Sequence, residues 1–257
     1  MNSERVTDSG LKVVRVGQRY TAATAIIPSK DRLDLCQQAV ASIREFVPFV
    51  VVLVVDTGDG ETAKWAKEAD CETLHLPGAS FAKANNEAAL LAAGRFLWLV
   101  NNDVIATEET RHLFDDLDER TIVGPRLLYP SGLVQSAGVG LDQDGNPYNL
   151  WSGAPQEHPD VMLGCWPLAV TFACVVVSKT LWWKLGGLDE QYVNSYEDVD
   201  FCLRAREQGY RVRYVPEAVA FHLEGQTAGR HEHDQASWQK FMLRWVADGR
   251  LHKVTGV

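Results

Sequence analysis

The run Phe49-Val50-Val51-Val52-Leu53-Val54-Val55, closed by Asp56, is the stretch on which the fold turns. It carries no polar position on either side of a period-two alternation, so as a strand it is apolar on both faces. Strands of that kind belong at the centre of parallel sheets, where helices cover both sides. The run is also far shorter than the roughly 20 apolar residues of a membrane span. Working outward, residues 21–27 read as a second buried strand, ending in Pro28-Ser29-Lys30-Asp31. Residues 95–100 read as a third, ending in Asn101-Asn102-Asp103. Helical stretches at 33–46, 62–69 and 81–93, a short strand at 72–76 and one strand at 11–16 in a polar lead-in complete this part. The alternation predicts an α/β fold: a doubly wound, mostly parallel sheet with helices on both faces and right-handed crossovers. Ligands of such sheets bind beyond the carboxyl ends of the strands. Pro28-Ser29-Lys30-Asp31, Asp56 and Asn102-Asp103 are all expected at that edge, which makes this part a nucleotide-binding half. No G-x-G-x-x-G and no G-x-x-x-x-G-K-[ST] occurs, so neither a dinucleotide fingerprint nor a P-loop is indicated.

Composition narrows the class. A net charge of −9 argues against non-specific nucleic-acid binding, which needs a basic footprint. The five cysteines are odd in number, widely spaced and without a C-x-x-C pair, which suits reduced thiols rather than a disulfide framework or a zinc site. Met1-Asn2-Ser3-Glu4-Arg5 lacks the basic-then-apolar design of a signal peptide, and no run is long enough for a membrane segment. A cytoplasmic protein is expected, with peripheral contact to a membrane left open. With no internal repeat, all 257 residues are expected in one domain.

The second part of the chain is more irregular. Thr107 is placed to cap a helix running to 117, residues 122–125 and 133–141 read as strands, and 142–167 as a long loop rich in Gly, Pro, Asp and Asn. Long loops carrying aromatics inside a compact domain tend to be functional. Trp151 and Trp166 in it could form a platform for a sugar ring or simply anchor the loop. A strand at 168–177, a short helix at 180–185, a Gly186-Gly187 turn, a strand at 211–215 stopped by Pro216, and an amphipathic helix at 234–246 follow. Trp238, Phe241, Met242 and Trp245 on that last helix suit either the core or a homodimer contact.

One further stretch concentrates acids: Asn194-Ser195-Tyr196-Glu197-Asp198-Val199-Asp200-Phe201-Cys202-Leu203-Arg204. Val199, Cys202 and Leu203 fall on one helical face. Ser195 is placed as the cap, with Asp198 three residues on in the manner of a capping box. Glu197 or Asp198 could serve as a general base. Equally, acids favour helix N-termini because the backbone dipole stabilises negative charge there.

Taken together and in order, these motifs resemble glycosyltransferase family 2, an inverting, nucleotide-sugar-dependent family on the GT-A fold. The resemblance rests on Phe81-Ala-Lys-Ala-Asn-Asn86, Leu99-Val-Asn-Asn-Asp103, Gly186-Gly-Leu-Asp-Glu190, Tyr196-Glu-Asp-Val-Asp-Phe-Cys-Leu-Arg204, and Tyr214-Val-Pro-Glu-Ala218 followed by His222. It is most similar to the rhamnosyltransferase-like branch that builds bacterial cell-surface polysaccharides. The resemblance implies a nucleotide-sugar-binding half at about 20–105, an acceptor half with a smaller sheet at about 106–230, and a C-terminal helix at about 231–257. It implies that Pro28, Ser29 and Asp31 line the base and ribose, that Asp56 contacts the base, and that Lys83, Asn86 and Asn102 approach the nucleotide. Asp103 and His222 would hold Mn²⁺ or Mg²⁺, Asp198 would be the base and Glu197 would shape the acceptor site. Trp151, Trp166, Phe172, Ala173 and Tyr196 are candidates for acceptor walls. A divalent ion can neutralise a diphosphate leaving group, and an imidazole ligand tilts the choice towards Mn²⁺. The chain departs from the family's D-x-D motif at Asn101, which removes one negative charge. A non-catalytic nucleotide-sugar-binding subunit is the rival reading. The acceptor stays open among lipid-linked glycan, protein, small molecule and modified nucleic acid.

Overall fold

The computed structural model describes residues 2–6, 12–16, 22–192, 195–223 and 234–255; Thr21 and Asn194 lie outside them. A hairpin of β1 (Asn2–Val6) and β2 (Lys12–Val16) comes first, two strands where one was expected. The expected alternation follows: β3 (Ala23–Ser29), α1 (Leu33–Phe46), β4 (Val51–Asp56), α2 (Glu61–Glu68), β5 (Glu72–His75), α3 (Phe81–Leu91) and β6 (Phe96–Val100). The second part contains β7 (Val104–Ala106), a 3₁₀ helix (Glu108–Phe114), β8 (Thr121–Leu128), β9 (Val134–Ser136), β10 (Val139–Leu141) and β11 (Pro147–Asn149). It ends with β12 (Cys174–Ser178), α4 (Lys179–Leu185), α5 (Glu197–Glu207), β13 (Arg211–His222), α6 (Asp234–Phe241), a π-helical turn (Met242–Ala247) and α7 (Arg250–Thr255).

One large sheet runs β1-β2-β5-β4-β3-β6-β12-β8-β13-β7, with β9 on β8, and β10 and β11 form a separate ribbon. Strands β5, β4, β3 and β6 are mutually parallel, as the apolar runs require. The two-faced character of β4 is literal. Leu53 and Val55 enter the core beneath α3, α4 and α5, whereas Val52 and Val54 enter the core beneath α1 and the 3₁₀ helix.

Several boundaries differ from the expectations. The segment after Thr107 is a short 3₁₀ helix because the Thr107 and Thr110 hydroxyls both donate to Val219 O and pin it on β13. The strand expected at 133–141 is split at Gly138 (φ +104°), where a Cβ would strike Pro167. The strand expected at 168–177 is confined to its C-terminal part. Pro216 does not stop β13: the register on β8 shifts between Val215 and Val219, and an irregularity tolerates a residue that has no N–H to donate. Ser195 does not cap α5. The cap position is Tyr196, held at φ 71°, and Ser195 Oγ is buried without a hydrogen-bond partner.

The C-terminal segment is core, not a docking face, at two of its aromatics: Phe241 and Trp245 are fully buried. Trp238 is partly exposed and donates to Asn146 Oδ1 (2.8 Å). Asp200, on the inner face of α5, accepts from Arg204 Nε (2.7 Å) and Trp245 Nε1 (2.9 Å) and lies 3.2 Å from Arg244. Asp189 pairs with Lys240 (2.7 Å) and Arg244 (3.0 Å). Burial alone would push the Asp189 carboxyl up, but hydrogen bonds from Lys240 and the Gln191 N–H, with the charges of Lys240 and Arg244, hold it below the usual range. Among the described residues all five cysteines are free thiols, and burial pushes Cys36, Cys174 and Cys202 up to about 12. No described helix is long and apolar enough to cross a membrane. Truncating Asp200 removes the buried counter-charge of Arg204 and leaves Arg244 with Asp189 alone, and Asp200→Ala is expected to cost about 3–5 kcal/mol in urea denaturation. A loss below about 1 kcal/mol would show that this network does not hold the C-terminal segment in place.

Candidate active site

Strand direction decides what meets at the site. β12 runs against β6, β8 against β12, and β13 with β8. The carboxyl ends of β3, β4, β6 and β13, and the residues just before β12, therefore share one edge. Ser29, Asp56, the turn at 101–103, Phe172, Ala173 and His222 all lie along it.

The turn is fixed at three points. Asn101 N–H donates to Ala173 O (2.8 Å), Val104 N–H to Asn101 O (3.1 Å), and Leu223 N–H to Asp103 O (2.9 Å). Strand β7 then returns antiparallel to β13 with Val104 opposite His222. That register sets Asp103 against His222: Oδ1 lies 3.1 Å from Nε2, with the residues 6% and 3% exposed. The contact is close but not aligned as a hydrogen bond, and both atoms are buried without a hydrogen-bond partner among the described residues. A carboxylate oxygen and an imidazole nitrogen converging in this way suit a divalent cation, Mn²⁺ more readily than Mg²⁺. No group of three or more His, Cys, Asp or Glu that could hold a metal ion occurs among the described residues. The replacement at Asn101 leaves this pair intact.

The acidic helix joins the turn through two consecutive residues. Phe172 N–H donates to Asp198 Oδ2 (3.3 Å), and Ala173 O receives Asn101 N–H. Asp198 Oδ1 accepts Val199 N–H (2.8 Å), and the side chain remains partly exposed. Glu197 beside it is buried, and Tyr196 stacks on Phe241 with ring centroids 5.3 Å apart. Phe172 and Ala173 are buried, so they set the floor between Asp198 and the turn rather than an open wall.

Other expected residues divide. Asn102 donates to Ser29 Oγ (3.0 Å), which ties the ends of β3 and β6 together. Pro28 is partly buried; Asp31, at φ 52°, is exposed and accepts Asp59 N–H (3.2 Å). Lys83 is exposed in the first turn of α3, which Ser80 caps. Arg32, not singled out from the sequence, pairs with Asp34 and is close enough to feel the charge of Asp103. Asp56 is turned inward instead of facing a ligand. It is 0% exposed, and its oxygens accept Gly58 and Ala63 N–H groups (both 2.8 Å), so it shapes the loop ahead of α2. Asn86 clasps the Gly187–Glu190 turn, accepting Leu188 N–H and donating to Leu188 O (both 2.9 Å). Trp166 is 56% exposed but packs under Arg211 at the opposite end of β13, roughly 30 Å along the strand from His222. It is not an acceptor wall at this edge. Trp151 stacks with His158 (5.0 Å) in the loop whose Gly153 and Ala154 bond to Val134 of β9. The residue missed from the sequence is Gln135 on β9, whose Oε1 lies 2.7 Å from His222 Nδ1.

Comparison with known proteins agrees with this architecture. Residues 21–247 match the family described as glycosyltransferase like family 2, and the chain belongs to that family. It is 30% identical over 231 residues to the O-antigen biosynthesis protein RfbC of Myxococcus xanthus, covering 82% of this chain and 18% of that protein. It is 28% identical over 128 residues to the N-acetylglucosaminyl-diphospho-decaprenol L-rhamnosyltransferase of Mycobacterium tuberculosis, covering 41% of this chain and 39% of that one. The chain spans only 25% and 18% of the length of two curated relatives that it matches over most of its own length. The solved structure of GalNAc-T7 with UDP, GalNAc and Mn²⁺ shares the GT-A fold at TM-score 0.63 and 12% identity, over 79% of this chain and 43% of that one.

Losing the Asn86 clasp leaves the Leu188 backbone groups unpaired. Asn86→Ala is expected to lower stability by about 1–3 kcal/mol in urea denaturation and to leave nucleotide affinity unchanged. Unaltered stability with weakened nucleotide binding would instead put Asn86 in contact with the ligand.

Proposed function

We propose that this chain is an inverting glycosyltransferase that moves a sugar from a nucleotide-diphosphate donor to an acceptor hydroxyl, in the assembly of a cell-surface polysaccharide or another glycoconjugate. The observation that carries the reading is the convergence, at one sheet edge, of the Asp103–His222 pair with Asp198 across Phe172 and Ala173. The edge beyond parallel strands is where this kind of fold receives nucleotides. The family membership and the O-antigen and rhamnosyltransferase relatives support the same reading.

Ser29, Asn102 and Asp31 line the strand ends where a nucleoside would lie, and the exposed Lys83 offers positive charge to phosphates. Asp103 and His222 would hold a divalent cation, which when bound neutralises charge developing on the departing diphosphate. Asp198 takes the proton from the acceptor hydroxyl as its oxygen bonds to the sugar's anomeric carbon and the carbon–diphosphate bond breaks on the opposite face. Two N–H donors aim the Asp198 carboxylate, and Glu197 with Tyr196 borders the acceptor side.

Replacing the base by an amide separates catalysis from binding. Asn at 198 still offers an oxygen to Phe172 N–H but accepts no proton. Asp198→Asn is expected to lower kcat for donor turnover about 10²–10⁴-fold with the KM for donor nearly unchanged. Turnover equal to the native protein would remove Asp198 from the chemistry, and absence of turnover in both would favour a binding subunit.

A further inference from the structure

His222 has two ring nitrogens, and a cation can be held only by the one that keeps its lone pair. Its surroundings determine which one that is. Nδ1 lies 2.7 Å from Gln135 Oε1, both side chains are buried, and an amide oxygen only accepts. The amide is oriented by its other end, where Nε2 of Gln135 reaches the backbone oxygen of His222 (3.5 Å). The hydrogen therefore belongs on Nδ1 of the imidazole, and Nε2 is left as the acceptor beside Asp103 Oδ1. Two acceptors 3.1 Å apart, neither making a hydrogen bond among the described residues, repel unless something positive lies near both.

Gln135 reaches His222 through a local break in the sheet. Strand β9 pairs with β8 as Leu127 opposite Ser136 and Leu128 opposite Val134, so one extra residue, Gln135, is inserted between the two pairs. Regular alternation turns a residue's neighbours to the opposite face, whereas a bulge re-aims a side chain, which is why bulges recur beside active sites. Phe221 pairs with Leu128 on the other side of β8, which places His222 next to the bulge. A buried polar side chain on a three-residue strand, with Val134 and Ser136 also buried, is otherwise costly to keep.

We propose that Gln135 is a positioning residue for His222: from the β9 bulge it fixes the Nδ1–H tautomer and so turns Nε2, with Asp103 Oδ1, into a two-atom seat for a divalent cation. The proposal rests on the metal reading given above, but its first test does not.

The full chain, labelled with ¹⁵N-histidine and free of metal, is studied by long-range ¹H–¹⁵N NMR at neutral pH, with His222→Gln assigning the signal. The native protein is expected to show His222 as the Nδ1–H tautomer. Gln135→Leu, close in size but without an acceptor, is expected to move the population towards Nε2–H, and Gln135→Glu to retain Nδ1–H. An Nε2–H tautomer or an imidazolium in the native protein overturns the proposal, as does an unchanged tautomer in Gln135→Leu. If Gln135→Leu does not fold, the native signal and Gln135→Glu still decide. Mn²⁺ binding, followed by the EPR signal of the free ion, is expected to weaken about 10–100-fold in Gln135→Leu and to recover in Gln135→Glu. Native protein that takes up no Mn²⁺ contradicts the metal reading itself, while the tautomer measurement continues to judge Gln135. Equal Mn²⁺ affinity in native and Gln135→Leu protein overturns the role proposed for Gln135.

Discussion

The antiparallel return of β7 along the end of β13 is the constraint on which the site depends. Val104 opposite His222, reinforced by Leu223 N–H on Asp103 O, brings together two residues more than a hundred positions apart in the chain. A shift of one residue in that pairing would turn His222 to the other face of the sheet. The pairing is held in turn by the 3₁₀ helix, whose Thr107 and Thr110 hydroxyls hold β13 at Val219, just past the irregularity around Pro216. The irregular backbone of β13 and the short helix are thus parts of one arrangement that aims His222 at Asp103.

A second set of contacts steadies the acidic helix. The first turn of α5 faces the site with Asp198, while Asp200, two residues on, points inward to Arg204, Trp245 and Arg244. Asp189 adds Lys240 and Arg244 from the same C-terminal segment. The C-terminal segment therefore braces the helix that carries the proposed base, and its buried Phe241 stacks directly on Tyr196 at the helix start. Rigid elements of this kind hold a reacting group in place better than a loop can.

The central sheet was legible because each strand there needs only its own apolar run, and β4 sends alternate residues into two cores. Asp103, Asp198 and His222 stood out because acids and a histidine close strands or open a helix in a recognisable order. What could not be read depends on pairing between distant segments. Asp56 and Asn86 have the residue types of ligand contacts, yet backbone N–H groups from a following loop and from a turn beyond residue 185 engage them. Trp166 stayed open between a sugar platform and a loop anchor, because an aromatic in a long loop suits either. The length of β13, twelve residues from Arg211 to His222, puts it at the far edge instead. Gln135 gave no signal at all, since a lone glutamine between Val134 and Ser136 looks like an ordinary strand residue until the bulge is seen.

The reading proposed here requires this sheet edge to bind a nucleoside diphosphate together with a divalent cation. Thermal unfolding of the purified chain with UDP, TDP or GDP, each in Mn²⁺, Mg²⁺ or EDTA, tests it most directly. Stabilisation should rise with the logarithm of ligand concentration for one nucleotide class in the presence of metal, and disappear in EDTA. No shift with any nucleotide at millimolar concentration, or an equal shift in EDTA, would contradict it.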